Sequence, residues 1–344
     1  MKAVIQDNYG AFEEVLSVRD VEVPAPQRGE VLVRVKAASV HADVWHVITG
    51  RPYAMRLFGS GLSRPKKLIP GTDLSGVVEA LGPEVTRFGL GDEVFGESHG
   101  GMQWSNGGAF AEYAAVPETA LAHKPPLVTF EMAACVPSSG YIALMNLGEA
   151  QLKAGQRILI NGAGGGVGSL AVQIAKAQGA HVTAVDCAEK LNLLRELGAD
   201  ETIDYEQQDF TRGEQKYDVI LDVASNLTLN NCKLALTPEG KYIRIGHEHY
   251  GRRGGPWLGS LPQFFGFVFL APFTKQFPDL NFHIPAKDEL MKELARLLGS
   301  GQLTPRVDRI YPLEQAAAAL RYLEQGQAHG KILLSPLLNA PATT

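Results

Sequence analysis

Cysteine is scarce: the 344 residues contain three, Cys135, Cys187 and Cys232, widely spaced and with no Cys-x-x-Cys pair. That usage speaks against a disulfide framework and against a structural zinc knot. A long basic run is also missing and the formal net charge is −5, which argues against nucleic acid as a partner. A spanning helix needs about 20 apolar residues. The nearest approach, WLGSLPQFFGFVFLAPF at 257–273, is shorter and is broken by Gly259, Pro262, Gln263, Gly266 and Pro272. No membrane span is therefore expected. This stretch reads as cover for a pocket or a subunit interface, with contact to a membrane surface as the alternative. Met1-Lys2-Ala3-Val4-Ile5 opens on a strand-like run, which predicts no signal peptide and a cytoplasmic location.

What is present is ordinary in bulk, with 45% hydrophobic and 20% charged residues, as in a soluble globular protein with length for two domains. Residues 1–124 read as β-rich. Glu30–Ala37 alternates partly, Gly71–Gly82 is a strand between glycine turns, and Gly91–Gly96 and Gly108–Ala114 continue the pattern. Short strands with turn signals predict a small barrel. Character changes at Lys124-Pro125-Pro126. Beyond it, strands at 157–161, 181–186, 201–203, 217–223 and 241–246 alternate with helices at 167–178, 189–197 and 227–236, the pattern of a parallel α/β sheet. A sixth strand is expected at 280–284, a helix at 286–299, then a strand at 309–312, a helix at 313–325 and a closing strand from Gly330.

The most informative stretch runs from Arg157-Ile158-Leu159-Ile160-Asn161 through Gly162, Ala163, Gly164, Gly165, Gly166, Val167 and Gly168 into Ser169–Lys176. An apolar strand turns through crowded glycines into an amphipathic helix. Backbone N–H groups and a helix N-terminus can then approach a dinucleotide pyrophosphate. Eighteen residues past Gly168, the second strand ends in Asp186. A carboxylate there can hold the ribose hydroxyls of NAD and repel a 2′-phosphate. Its plain alternative is to cap the turn Asp186-Cys187-Ala188-Glu189.

Barrel first, dinucleotide domain second and a tail returning to the barrel: this order resembles the medium-chain dehydrogenase/reductase superfamily. The resemblance covers nearly the whole chain. It rests on Gly71-Thr72-Asp73-Leu74-Ser75-Gly76, Gly91–Gly96, Gly108–Tyr113, the glycine turn, Leu197-Gly198-Ala199-Asp200, Asp204-Tyr205 and Gly330-Lys331. Within the superfamily the chain is most similar to the zinc-free quinone oxidoreductase branch, the zeta-crystallin-like proteins. The resemblance implies an α/β fold, with a GroES-like catalytic domain (1–124 and 286–344) interrupted by a Rossmann domain (125–285). It also implies a cofactor between them and a homodimer formed through the sixth strand. Zinc alcohol dehydrogenases carry ligands at three places where this chain has Val40-His41-Ala42-Asp43, Gly71-Thr72-Asp73 and Cys135-Val136-Pro137-Ser138. No metal is expected. His41, Asp73 and Cys135 are the nearest substitute set, and their spacing matches no known pattern.

The resemblance implies NAD(P)H as cofactor, held by Gly162–Val167, Ser138, Asp186, Lys190, Tyr205, Ile245, Gly246 and Lys331. Asp186 favours NADH slightly. Lys190 pulls the other way, since a base just past this strand contacts the 2′-phosphate in NADPH-using relatives. Each residue has a plainer alternative: a helix cap for Ser138, a half-buried loop aromatic for Tyr205, a solvated strand end for Lys331. His247 is a candidate beside Gly246. For catalysis the candidates are Tyr53, to hydrogen-bond the acceptor oxygen, and His41, to orient or protonate it. A structural histidine and a packed tyrosine are the alternatives. The expected substrate is a quinone, an enone or another carbonyl compound. Reversible alcohol/aldehyde chemistry is a second reading. A non-catalytic cofactor-binding protein, crystallin-like or associated with membrane vesicles, is a third.

Overall fold

A computed structural model describes residues 1–58, 60–98, 105–246, 255–259, 261–270, 274–278 and 285–338. The chain first lays down β1 (Lys2–Gln6), β2 (Leu16–Asp20), β3 (Glu30–Val40), β4 (Asp73–Leu81), β5 (Glu93–Glu97), β6 (Tyr113–Pro117) and β7 (Leu121–His123). A second set follows: β8 (Arg157–Asn161), β9 (His181–Asp186), β10 (Glu201–Asp204), β11 (Tyr217–Asp222) and β12 (Leu236–Arg244). The tail adds β13 (Val307–Pro312) and β14 (Lys331–Ser335). The chain divides into two compact units, Met1–Ser138 with Lys287–Gly301 and Pro305–Thr344, and Ser139–Ala286 with Gln302–Thr304.

In the first unit β3 is the hub. It pairs antiparallel with β4, β6 and β14, in a sheet ordered β13-β14-β3-β4-β5-β7. Its burial fits that place: Val31, Val33, Val35, Ala37, Ala38 and Val40 are all buried, as expected where β-branched residues pack in a central strand. The tail therefore closes the barrel strands through β14, with Leu333 opposite Ser39. Residues 125–138, set with the Rossmann domain in the sequence reading, pack with this unit. Ser75 Oγ donates to the Phe130 carbonyl and Ser138 is bonded to Asp73.

The second unit is a five-stranded parallel sheet ordered β10-β9-β8-β11-β12. That is the 3-2-1-4-5 order of a doubly wound dinucleotide-binding fold. Its central strand, β8, is fully buried at Ile158, Leu159 and Ile160, because helices cover both faces of such a sheet. Helices Gly166–Ala177 and Leu229–Ala235 lie within a residue or two of expectation. The second starts late because Thr228 takes the cap position, its hydroxyl accepting from Asn231 N–H. β12 begins earlier than expected, at Leu236, and runs through Pro238-Glu239-Gly240. The register slips there, Tyr217 pairing with Leu236 and Val219 with Lys241.

The tail helix is Ala316–Glu324, preceded by a 3-10 turn at Leu313–Gln315. Within 257–273 the structure has helices Gly255–Leu258 and Leu261–Leu270, with Trp257, Phe265 and Phe269 exposed. Among the described residues no helix is long and apolar enough to cross a membrane. The expected strand at 280–284 and His247 lie outside the described residues.

Candidate active site

In the second unit the sheet's carboxyl edge is organised by three strand ends. After Asn161, Gly162 takes a left-handed conformation with φ +80°. Gly162 and Ala163 donate to the Val185 carbonyl at 3.0 and 3.1 Å. Gly168 sits so close behind the turn that an added Cβ would lie 2.2 Å from the Gly162 carbonyl oxygen. Its role is close packing of helix on strand, as the glycine pattern implies. Helix Gly166–Ala177 begins at Gly165 with no side chain capping it. First-turn N–H groups with the positive end of the helix dipole behind them are a ready anion site. The residues present therefore fit a pyrophosphate.

Asp186 ends β9 and is buried. Its Oδ2 accepts from Gly164 N–H at 2.7 Å and its Oδ1 from Cys187 N–H at 3.0 Å. It is thus buried against the glycine turn rather than a surface cap, bonded to the backbone on both sides of the strand end. Lys190 Nζ lies 3.7 Å from Asp186 Oδ1. Tyr205 is exposed rather than half-buried, and its N–H donates to the Asp186 carbonyl at 3.3 Å. Burial and the surrounding negative charges raise its hydroxyl pKa. Asp186, Lys190, Tyr205 and the glycine turn thus form one group.

The third strand end was not singled out from sequence. Asp222 closes β11, fully buried. Its carboxylate collects Asn161 Nδ2 at 2.8 Å, Ser225 N–H at 2.8 Å, Leu227 N–H at 3.3 Å and the Tyr242 hydroxyl at 2.8 Å. Burial raises its pKa, and these donors pull it back. Asn161 also donates to Asn226 Oδ1 at 2.8 Å, so the end of β8 and the loop after β11 are tied through one amide. The Ile245 N–H bonds the Asp222 carbonyl at 3.1 Å, which brings Ile245 and Gly246 to the same edge. The available signal was an acidic residue closing the apolar run Val219-Ile220-Leu221.

In the first unit a second polar group is enclosed. His41 follows β3, enters the helix Ala42–Thr49 and is only 8% exposed. Its Nε2 is 2.6 Å from Thr72 Oγ1, and its Nδ1 is 3.5 Å from Asp43 Oδ2. The Asp73 carboxylate, with no exposure, lies 3.9 Å from Nε2. Burial alone would lower the histidine pKa, but Asp73 and Asp43 outweigh it and hold the imidazole above its ordinary value of 6.5. Both ring nitrogens face acceptors, as an imidazolium requires.

Ser138 and Lys331, expected against the cofactor, both face Asp73. Ser138 donates to it through N–H at 3.2 Å and through its hydroxyl at 2.5 Å. Lys331 is 2% exposed, not a solvated strand end. Burial lowers its pKa, while Asp73, Cys135 and Asp43 work against that. Glu97 pairs across the strands with Asp73 and is bound by Lys287. Its pKa is raised by burial and then by Asp73. Three carboxylates (Asp43, Asp73, Glu97) thus share the region with His41, Lys331 and Lys287.

The donor set does not fit a zinc ion. His41 Nε2 is taken by Thr72 and Asp73 is taken by Ser138. Burial pushes the Cys135 thiol up to about 12. Among the described residues no group of three His, Cys, Asp or Glu could hold a metal.

Tyr53 belongs to another cluster. It opens the 3-10 helix Tyr53–Phe58, and the Arg56 guanidinium lies over its ring at 4.4 Å and over Tyr9 at 4.3 Å. Such cation–π contacts fix the aromatic ring in place.

Residues 27–126 match the model of the alcohol dehydrogenase GroES-like domain, and residues 197–334 match that of a zinc-binding dehydrogenase. The chain is 32% identical to the chloroplastic quinone-oxidoreductase QR1 of Triphysaria versicolor, over 98% of each protein. It is 31% identical to the chloroplastic NADPH-dependent alkenal/one oxidoreductase of Arabidopsis thaliana, over 98% of this chain and 80% of that one. Among solved structures, the quinone oxidoreductase of Pseudomonas syringae pv. Tomato DC3000 superposes with a TM-score of 0.78 at 30% identity, covering 97% of this chain and 99% of the other.

Proposed function

The chain belongs to the quinone oxidoreductase branch of the medium-chain dehydrogenase/reductase superfamily, and we propose that it is an NAD(P)H-dependent, zinc-independent reductase of quinones and α,β-unsaturated carbonyls. The relatives named for quinone and alkenal/one reduction support the substrate class. The observation that carries the reading is His41, buried with Nε2 2.6 Å from Thr72 Oγ1 and with the Asp43 and Asp73 carboxylates 3.5 and 3.9 Å from its ring nitrogens, an environment that favours the protonated ring. It is an acid of the kind a reductase needs when no ion polarises the acceptor.

In this reading Gly162–Val167 receive the pyrophosphate. Asp186, Lys190 and Tyr205 meet the adenosine side, and Ile245 and Gly246 meet the nicotinamide. When bound, the reduced nicotinamide supplies a hydride. Hydride addition to a conjugated acceptor spreads negative charge onto oxygen, so less local polarisation is required than for a simple ketone. Preorganised donors aimed at that oxygen stabilise the developing charge. Tyr53 donates a hydrogen bond to the oxygen, its ring held by Arg56. His41 holds the proton that the reduced product requires, at Nε2 against Thr72 Oγ1. Asp73 is a positioning residue, fixed by Ser138 and charge-balanced by Lys331.

Asp186 tilts the cofactor choice toward NADH, and Lys190 beside it keeps NADPH usable. A homodimer working in the cytoplasm completes the reading; sedimentation and cell fractionation test those two points. The test of the function is oxidation of NADH and NADPH by a panel of quinones, enones and simple alcohol/aldehyde pairs, before and after chelation. Turnover of quinones or enones that survives chelation is expected. Activity confined to simple alcohols, or lost with a stoichiometric metal, overturns the reading.

A further inference from the structure

Between Asp43 and Asp73 the chain carries no acidic residue, yet it holds Arg51, Arg56, Arg64, Lys66 and Lys67. In a protein of net charge −5 this concentration of positive charge is local, and the fold gathers part of it around one cavity. The cavity measures about 650 Å³ and is lined by Arg56, Arg64, Lys66, Leu57, Leu62 and Leu68. That size falls within the range of about 300–1,000 Å³ typical of small-molecule sites. Among the described residues, neither Arg64 nor Lys66 is in a salt bridge. The three leucines are 70%, 68% and 44% exposed, an unfavourable arrangement in water unless apolar matter covers them.

The backbone of the walls and Arg56 are held in place, while the Arg64 and Lys66 side chains are exposed. Arg56 Nε donates to the Gly50 carbonyl at 2.8 Å, with its guanidinium stacked on Tyr9 and Tyr53. The Tyr9 hydroxyl donates to the Gly61 carbonyl at 2.7 Å, and Lys66 N–H to the Ser60 carbonyl at 2.9 Å. A cavity with leucines and uncompensated cations, and no carboxylate in its lining, fits an anion carried on an aliphatic arm. Neither a plain quinone nor a short alkenal would use the cations.

We infer that this cavity selects the acceptor: the favoured substrate is an enone or quinone bearing an aliphatic arm that ends in a carboxylate. Leu57, Leu62 and Leu68 take the arm, and Arg64 and Lys66 take the carboxylate. Arg56 links the cavity to Tyr53, so an arm anchored here leaves the conjugated head beside the tyrosine. The inference rests on the reductase reading for the head and on the cavity alone for the tail.

Two measurements test it. Octanoate, which cannot be reduced, is titrated calorimetrically against the wild type and against the Arg64→Glu/Lys66→Glu double variant, with 1-octanol as the uncharged comparison. Octanoate is expected to bind the wild type better than 1-octanol does, and to lose about tenfold or more in the variant, the scale of losing a charge-assisted hydrogen bond. An enone ending in a carboxylate is then compared with its methyl ester in steady-state turnover. The wild type is expected to favour the acid in kcat/KM, and the double variant to lose or reverse that preference. Octanoate that fails to bind, or binds both proteins equally, overturns the inference. So does an acid-over-ester preference that survives the double substitution. If no acceptor of any kind oxidises NADH or NADPH, the reductase reading falls, and the octanoate titration still decides the cavity.

Discussion

His41 Nε2 lies 2.6 Å from Thr72 Oγ1, inside a region where Asp73 has no solvent exposure. The contact joins the end of β3 to the start of β4, and so depends on the register of those two strands. With Nε2–H directed at the hydroxyl and Nδ1–H at Asp43, the ring is satisfied best when protonated.

That protonation has a pH signature. The His41 pKa is raised above 6.5 in the folded chain, so the acid form persists into a range where a free histidine has lost its proton. Turnover of an enone should fall as pH rises through a step lying above 6.5, and His41→Ala should lower kcat and remove the step. The same shift makes His41 a source of stability that is complete below the unfolded histidine value and is lost as pH rises through the folded one. A kcat–pH profile identical in wild type and variant would reject the assignment.

Tyr53 contributes one hydroxyl to the proposed chemistry. Tyr53→Phe keeps the ring under Arg56 and removes only the donor. The expected effect is a kcat loss of about 10-fold to 100-fold with NADH affinity within about twofold of wild type, the size of a neutral or partly charged hydrogen bond at a developing oxyanion. Single-turnover hydride transfer with a good enone reads this directly; an unchanged rate removes Tyr53 from the mechanism.

Asp186 grips Gly164 N–H while facing Lys190. Asp186→Ser removes a negative charge next to a lysine, and the NADPH-to-NADH ratio of kcat/KM should rise about tenfold or more, as for a charge-assisted contact. Fluorescence titration with both coenzymes checks the binding part. An unaltered ratio would show that this carboxylate serves the turn and not the choice of coenzyme.

Asp222 gathers four donors at the edge of the sheet. Asp222→Ala would leave the Asn161 amide, the Tyr242 hydroxyl and two backbone N–H groups without it. Each buried donor left unmet costs about 1–3 kcal/mol, so urea unfolding should register a loss of about 3 kcal/mol or more. Tyr242→Phe, which removes one donor together with its own need, should cost about 1 kcal/mol. Equal losses for the two variants would mean that the carboxylate is not the centre of this network.

Much of this architecture is readable from residue order because backbone constraint writes it locally. The glycine turn is an example: Gly162 supplies its φ and Gly168 its clearance, and both show as glycines next to an apolar strand. The alternation of strands and helices after residue 157 is legible for the same reason. The polar group around Asp73 is less so. Lys331 looks like a strand-end lysine until β14 is laid against β3, and only then does it become a buried cation facing Asp73. Asp222 needs Asn161 and Tyr242, brought from other strands, before its role appears.

Asp73 and Glu97 stand opposite each other on neighbouring strands, and Lys287 reaches Glu97 while Lys331 faces Asp73. The chain thus carries its own counterions into an interior that would otherwise be electrically intolerable.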